Sequence, residues 1–356
     1  MNEQLLKKHI AAAPRMEPTD AVKLAFQSAF GCGHLLGSPE DCAAGVCREL
    51  ETVLPDPAMP AYTPIGGGQC RLNLACPQVR RLCPERIASL MLLSAEAPGQ
   101  PAAFEETLGQ LEALAVQGET PFSAEALQEY LASYRAQGCP PVSHSAAYRR
   151  AYAPAYRVVK TALAQLLPLL TVVDERLAAR GRAAVVVDGP CAAGKTTLAG
   201  YLARLYHTRP LAMDDFFLPP EMRTPQRFSQ PGGNVHYERF LSQVLTPLLG
   251  GGDFAYNRFD CQTGRMVKKT HMASPVAIIE GSYSLHPAFA QAYEQLRPVT
   301  VWLSIKPDEQ LRRLERRDPA RLQMFLERWI PLEKSYAEAY HIPMSADLTL
   351  QWEGMR

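Results

Sequence analysis

Residues 189–196 read Gly-Pro-Cys-Ala-Ala-Gly-Lys-Thr, two glycines separated by four residues and followed at once by a lysine and a hydroxyl. Glycines at that spacing let a backbone turn curl until successive N–H groups point at one place. A helix starting immediately after the turn adds its positive dipole end. Such a turn holds phosphate oxygens. Lys195 contributes a point charge for β- and γ-phosphates, and the Thr196 hydroxyl is a hard ligand suited to magnesium. Gly189, Pro190, Cys191, Ala192, Ala193, Gly194, Lys195, Thr196 and Thr197 are therefore read as a cradle for ATP. Further chemistry-bearing residues follow. Asp214 and Asp215 stand in Leu-Ala-Met-Asp-Asp-Phe-Phe, where a carboxylate can accept the proton of an attacking hydroxyl. Glu280 ends the apolar run Val-Ala-Ile-Ile-Glu, placed to hold magnesium or orient a nucleophile. Arg312, Arg313, Arg316, Arg317 and Arg321 crowd one short stretch, as a cationic lid over a transferring phosphate does.

These residues need a particular scaffold. Short β-rich runs (Ala183–Asp188, Arg209–Met213, Pro275–Glu280, Val299–Ile305, Ala346–Trp352) alternate with helical segments at Lys195–Tyr206, Tyr237–Leu249, Pro307–Arg316 and Arg321–Tyr340. That alternation predicts an α/β fold, a parallel sheet covered by helices on both faces, with the cradle at the C-terminal end of its first strand. Residues 1–140 read differently, as a mainly helical N-terminal domain. Helical patterns begin at Asp20, taken as an N-cap, and at Pro84, Ala102 and Ser123, with a turn and short strand near Tyr62–Leu74. Residues 141–180 are expected to be a linker and a connecting helix from about Ala155, and 181–356 the nucleotide-binding domain. In the first part His34, His144 and Arg157 fall in motif-like runs of no assignable role, and core or turn positions are the expectation for them.

Bulk properties narrow the classes. The chain has 356 residues and a formal net charge of +1, which argues against a broad surface for nucleic acid or anionic membrane. Nine cysteines, an odd number with no C-x-x-C pair, favour neither a disulfide framework nor a zinc site. The first residues lack a signal-peptide core, and Thr161–Val173 is too short to span a bilayer, so a cytoplasmic protein is expected.

Residues from about 181 to 350 resemble the uridine kinase and phosphoribulokinase family of P-loop small-molecule kinases. Four features carry the resemblance in order: the Gly189–Thr197 loop, the Asp-Asp-Phe-Phe run at 214–217, Ile279-Glu280-Gly281, and Arg317-Asp318 after an arginine-rich helix. The resemblance implies a P-loop NTPase fold, with Asp214 as catalytic base and Lys195, Arg313 and Arg317 acting on the transferring phosphoryl group. It further implies Thr196 and Glu280 at magnesium, and an acceptor side built from Asp214, His236, Asp260 and Arg321. The chain departs from the family pattern on the acceptor side. Val235-His236-Tyr237 replaces an Asp-His-Pro stretch, Thr263–Gly264 stands where a histidine is usual, and Arg321 alone follows Asp318 in a shortened lid. The expected activity is ATP- and magnesium-dependent phosphorylation of a small-molecule hydroxyl, on a nucleoside, a sugar, a pantothenate-like acid or a phosphosugar. No nucleic-acid or membrane partner is expected, and a homo-oligomer is left open. The alternative is a P-loop switch whose hydrolysis drives conformational change without a metabolite acceptor.

Overall fold

The computed structural model describes residues 1–33 and 36–352, so His34 lies outside the described residues. The chain divides into two compact units, the first running to Thr171 and the second starting at Val172.

In the first unit, helices span Glu3–Ala11, Pro18–Phe30, Pro39–Thr52, Pro84–Ala95, Pro101–Val116, Ala124–Ala136 and Ala146–Tyr152. Ser38, Ser123 and Ser145 cap three of them by accepting a backbone N–H, as short hydroxyl side chains do at helix starts. Asp20 is not the N-cap expected for the second helix. Pro18 favours the first helical position, which moves the cap back to Glu17; Asp20 instead takes the Glu17 N–H at 3.0 Å from inside the first turn.

Three strands accompany these helices: β1 (Tyr62–Gly66), β2 (Gln69–Asn73) and β3 (Tyr156–Lys160), antiparallel in the order β1-β2-β3. The third corrects the expectation of a linker and helix across 141–180. Tyr-Arg-Val-Val-Lys at 156–160 pairs with β2 from Asn73↔Tyr156 to Gln69↔Lys160, and only then does the chain turn through Thr161–Ala164 into the helix Leu167–Arg180. Aromatic and β-branched residues suit a pleated surface, and β2 needs partners for its second edge.

The second unit is an α/β P-loop fold. Its sheet joins β4 (Ala183–Asp188), β5 (Leu211–Ala212), β8 (Val276–Glu280), β9 (Val299–Ser304) and β10 (Leu348–Gln351), all parallel, in the order β10-β9-β4-β8-β5. Central β4 and β8 are buried at nearly every position, so both sheet faces are covered there, whereas outer β10 alternates half-buried and exposed residues. Phe216, Phe240, Ile279, Phe289 and Tyr336 pack into one continuous core with Val186 of β4.

Between β5 and β8 the chain adds a hairpin, β6 (Phe254–Asp260) and β7 (Arg265–His271), closed by Cys261–Gly264. Two helical stretches widen into π turns, Leu241–Leu245 and Phe325–Trp329. In each, the widened turn stops two residues before a proline, Pro247 or Pro331. A proline ring crowds the carbonyl four residues back and offers no N–H, and a π turn relieves both conflicts. Among the described residues no helix is long and apolar enough to cross a membrane.

Tyr336 is 1% exposed, and its hydroxyl donates to Asp188 at 2.9 Å at the end of β4. Tyr336→Phe keeps the ring and removes this donor from a buried carboxylate. It should cost about 1–2 kcal/mol, read as a lowered thermal midpoint with unchanged secondary structure.

Candidate functional site

Strand β4 delivers the chain to the cradle at Asp188, whose side chain is 1% exposed. Its carboxylate accepts N–H donors from Gly189 (2.7 Å), Tyr283 (3.1 Å) and Leu285 (2.9 Å) besides the Tyr336 hydroxyl. Burial pushes its pKa up to about 6 against the pull of these donors. Gly189 has φ +147°, and a Cβ there would lie 2.4 Å from the Leu303 carbonyl oxygen, so the close approach of loop and β9 requires glycine. Gly194, at φ +101°, turns the chain into the helix Lys195–Leu205.

Inside the cradle the polar groups hold one another. Lys195 donates from Nζ to the carbonyls of Gly189 (2.7 Å) and Pro190 (3.0 Å) and to Ser282 Oγ (3.0 Å). Thr196 Oγ1 lies 3.2 Å from each oxygen of Glu280, close enough to donate to either. Glu280 is 5% exposed, and burial, with Asp214 second, pushes its pKa up to about 7. The Cys191 N–H donates to Glu333 Oε2 at 2.8 Å, while Ser282 Oγ lies 2.8 Å from Glu333 Oε1. An internal carboxylate thus occupies one donor of the phosphate cradle. Thr196 and Glu280, hard oxygen donors adjoining at the foot of the loop, fit a magnesium ion by their chemistry.

A cavity of about 680 Å³ opens from the loop. Cys191, Ala192, Gly194, Lys195, Thr196, Thr197, Asp214, Glu280, Arg313, Arg317 and Arg321 line it, which gathers most residues singled out from the sequence. Gly189 and Pro190 contribute carbonyls to Lys195 rather than surface, and Ala193 is buried beneath the turn. Arg313 is braced against the loop, donating to the Ala192 carbonyl at 3.2 Å and to Glu309 at 2.8 Å. The Arg317 guanidinium lies 5.4 Å from the Phe325 ring, and Arg321 pairs with Asp318 at 3.4 Å.

The two adjacent aspartates part company. Asp215 is buried and bound to Lys269 Nζ (2.8 Å) and the Tyr256 hydroxyl (3.0 Å), which fastens β6 and β7 to the segment after β5. Asp214 opens to the cavity. Although its surface is accessible from that side, the surrounding walls raise its pKa, with Lys195 opposing and Asp215 adding to the rise.

His236 and Asp260 are not brought to the cavity wall. His236 accepts the Arg239 N–H as the cap of the helix at Tyr237–Phe240 and also contacts Glu238 at 3.1 Å. Asp260 closes the β6–β7 turn, accepting from the Gln262 and Thr263 N–H groups and from Arg258. Short polar side chains beside a helix start or a tight turn are claimed by local backbone donors. In the first unit, His144 and Arg157 likewise engage their own surroundings, Asp20 and Glu49 respectively. Sequence reasoning missed Ser282, Glu333, Arg223, Arg328, Phe228 and Trp329, all on the cavity wall. The helix carrying Glu333 follows a proline-induced π turn, and no local spacing marks it as facing a loop so distant along the chain.

No family model matches the chain, and no curated protein matches it. Solved structures similar to it include a candidate uridine kinase from Bacillus stearothermophilus (19% identity over 48% of this chain and 88% of that one, TM-score 0.38). A protein assigned as a fructose transport system kinase from Silicibacter sp. TM1040 aligns at 23% identity over 51% of this chain and 97% of its own, TM-score 0.43. A shikimate kinase from Acinetobacter baumannii, solved with shikimate, aligns at 20% identity over 50% and 88%, TM-score 0.29.

Two outcomes follow from that geometry. Glu333→Gln removes the negative charge from the cradle, so magnesium–nucleotide affinity measured by calorimetry should rise by about 3- to 10-fold. Glu280 keeps a proton in the fold up to about pH 7, against its ordinary 4.5. Its contribution to stability is present below pH 4.5 and lost as pH rises through 7. Between pH 4.5 and 8 the ligand-free wild type should lose about 2–3 kcal/mol relative to Glu280→Gln, read by denaturant unfolding.

Proposed function

We propose that the second unit is an ATP- and magnesium-dependent kinase that transfers the γ-phosphoryl group to a hydroxyl of a small metabolite. The observation carrying this reading is that Asp214, Lys195 and the Thr196–Glu280 pair line one cavity of about 680 Å³.

In this reading the Cys191, Ala192 and Gly194–Thr197 backbone receives the phosphates, and Lys195 swings from its loop carbonyls onto the β- and γ-oxygens. Thr196 and Glu280 would hold a magnesium ion, which would supply positive charge to offset that of the phosphates. Asp214 takes the proton of the acceptor hydroxyl as that oxygen bonds to the γ-phosphorus and the bond to the β-phosphate oxygen breaks, leaving ADP. A raised pKa suits the task, because a carboxylate enclosed by cavity walls is a stronger base than one in water. Arg317 offers charge to the transferring group, while Arg313 stiffens the loop. The far wall, with Phe217, Phe228 and Trp329 among Arg223 and Arg328, suits a small partly planar acceptor. A cytoplasmic location is part of the same reading.

Asp214→Asn should lower acceptor-dependent ADP release by about 10²- to 10⁴-fold while leaving nucleotide affinity within a few-fold of wild type. The assay is a panel of nucleosides, sugars and hydroxy acids. Retained turnover in the variant would remove the base assignment, and ADP release indifferent to every added hydroxyl compound would favour the switch reading instead.

A further inference from the structure

The cavity of the second unit carries more positive charge than phosphoryl transfer from a nucleotide uses. Six cationic side chains line it, Lys195, Arg223, Arg313, Arg317, Arg321 and Arg328, against three carboxylates, Asp214, Glu280 and Glu333. Four of the six are accounted for. Lys195 and Arg313 bind carbonyls of the loop, and Arg313 has Glu309 as a counter-ion. Arg321 pairs with Asp318, and Arg317 stands near enough to Asp214 to pull against the burial-driven rise of its pKa. Arg223 and Arg328 are left with no carboxylate partner among the described residues.

Both belong to the wall assigned above to the acceptor. Arg223 Nε donates to the Leu218 carbonyl at 2.9 Å, and its guanidinium lies 5.9 Å from the centre of the Phe259 ring. The Arg328 guanidinium lies 4.8 Å from the Phe228 ring and 5.8 Å from Trp329, and Trp329 packs 5.8 Å from Phe217, the residue before Leu218. Ring faces and a carbonyl fix the direction of a guanidinium without cancelling its charge. Cys261 locates Arg223 along the cavity. Burial raises the pKa of this thiol, Arg223 lowers it and Asp214 raises it, so the arginine and the carboxylate both stand near one side chain of the lining. Arg223 therefore belongs to the end of the cavity that holds Asp214. Both arginines are exposed, so a molecule in the cavity reaches them without rearrangement.

An arginine on a convex surface is solvated by water alone. Two on the wall of a cavity, beside aromatic rings and without counter-ions, are placed to receive an anion. Resting on the kinase reading, we propose that the phosphoryl acceptor is an oxyanion, a hydroxy compound bearing a carboxylate or a phosphate ester. Arg223 holds its charged end, and Arg328 adds positive charge from the same wall. The acceptor hydroxyl then lies toward Asp214. As its oxygen bonds to the γ-phosphorus, its proton passes to Asp214 and the bond from that phosphorus to the β-phosphate oxygen breaks, releasing ADP. The carboxylate or ester takes no part in these bond changes. An anion approaching a triphosphate meets like-charge repulsion, and Arg223 and Arg328 offset it. A neutral acceptor would leave both charges unmatched.

The test uses the full chain and matched acceptors that differ in one charged group: glycerate and glycerol, fructose 6-phosphate and fructose, uridine monophosphate and uridine. ADP release at saturating magnesium–ATP should favour the charged member of a pair by at least about tenfold in kcat/KM, and the pair concerned tells carboxylate from phosphate ester. Arg223→Met should raise KM for that anion at least about tenfold and leave KM for magnesium–ATP within about twofold, and Arg223→Lys should recover part of the loss. Calorimetry of the same compounds with the magnesium–ADP complex reads the anion site without turnover. Arg328→Met supplies both readouts should Arg223→Met fail to fold. A neutral acceptor used at least as well as its charged counterpart, or an anion whose KM and affinity are unchanged in both variants, overturns the proposal and leaves the kinase reading standing. Neither turnover nor binding of any anion also overturns it. Anion binding that the variants weaken, without ADP release from any compound, removes the kinase reading and keeps the anion site.

Discussion

The second unit is organised around the carboxylate of Asp188. A buried carboxylate is tolerable only when its lone pairs are filled, and here three backbone N–H groups and the Tyr336 hydroxyl fill them. The donors come from the loop start at Gly189, from the turn after β8 and from the helix Ile330–Ala339. One side chain therefore fixes the mutual position of the three segments that bring polar groups to the cradle. Ser282 adjoins one of its donors and Glu333 lies one helical turn before another, so the contacts of both with the loop follow from the same anchor.

The cradle is preorganised and internally occupied at once. Lys195 rests on the carbonyls of its own turn, and Glu333 holds the Cys191 N–H of the loop. This keeps buried donors and acceptors paired without a ligand, at the cost of contacts that an incoming anion must replace. Burial is the chief cause of the raised pKa at both Glu280 and Asp214, and repulsion from Asp214 adds to the rise at Glu280. Positive charge arriving between them relieves that repulsion. Trp329 and Arg328, which line the cavity, lie in the π turn just before Glu333. One continuous helical stretch therefore supplies both cavity wall and the contact with the loop.

What was legible in the sequence, and what was not, follows from the range of each signal. The loop, β4, β8 and β9 were readable because glycine geometry and continuous apolar runs are local properties that tertiary contacts reinforce. Asp214 was separable from Asp215 by resemblance alone; the structure shows the physical difference, an ion pair to Lys269 that removes Asp215 from the cavity. Strand β3 was misread because Tyr156–Lys160 has no helix-breaking residue, and its choice is made by β2, over 80 residues earlier. The hairpin β6–β7 did carry a short-range signal, a Gly-ended four-residue turn between alternating runs, that was not used. His236 and Asp260 illustrate the opposite error. Both have suitable chemistry, and both are claimed by neighbouring backbone N–H groups, a competition decided only by the local fold.

Burial of charge follows two patterns in this chain. Asp188, Asp215 and Asp20 are each surrounded by enough donors or a cation to satisfy them, and each joins segments distant in sequence. They are framework. Asp214 and Glu280 in the second unit line the cavity with fewer partners than their charge calls for. Such groups weaken the ligand-free fold, and a sequence under selection for stability alone would replace them with apolar residues of similar size. Their retention in the interior is understandable where an exchangeable species completes them. In the second unit the species we propose is a metal-bound polyphosphate.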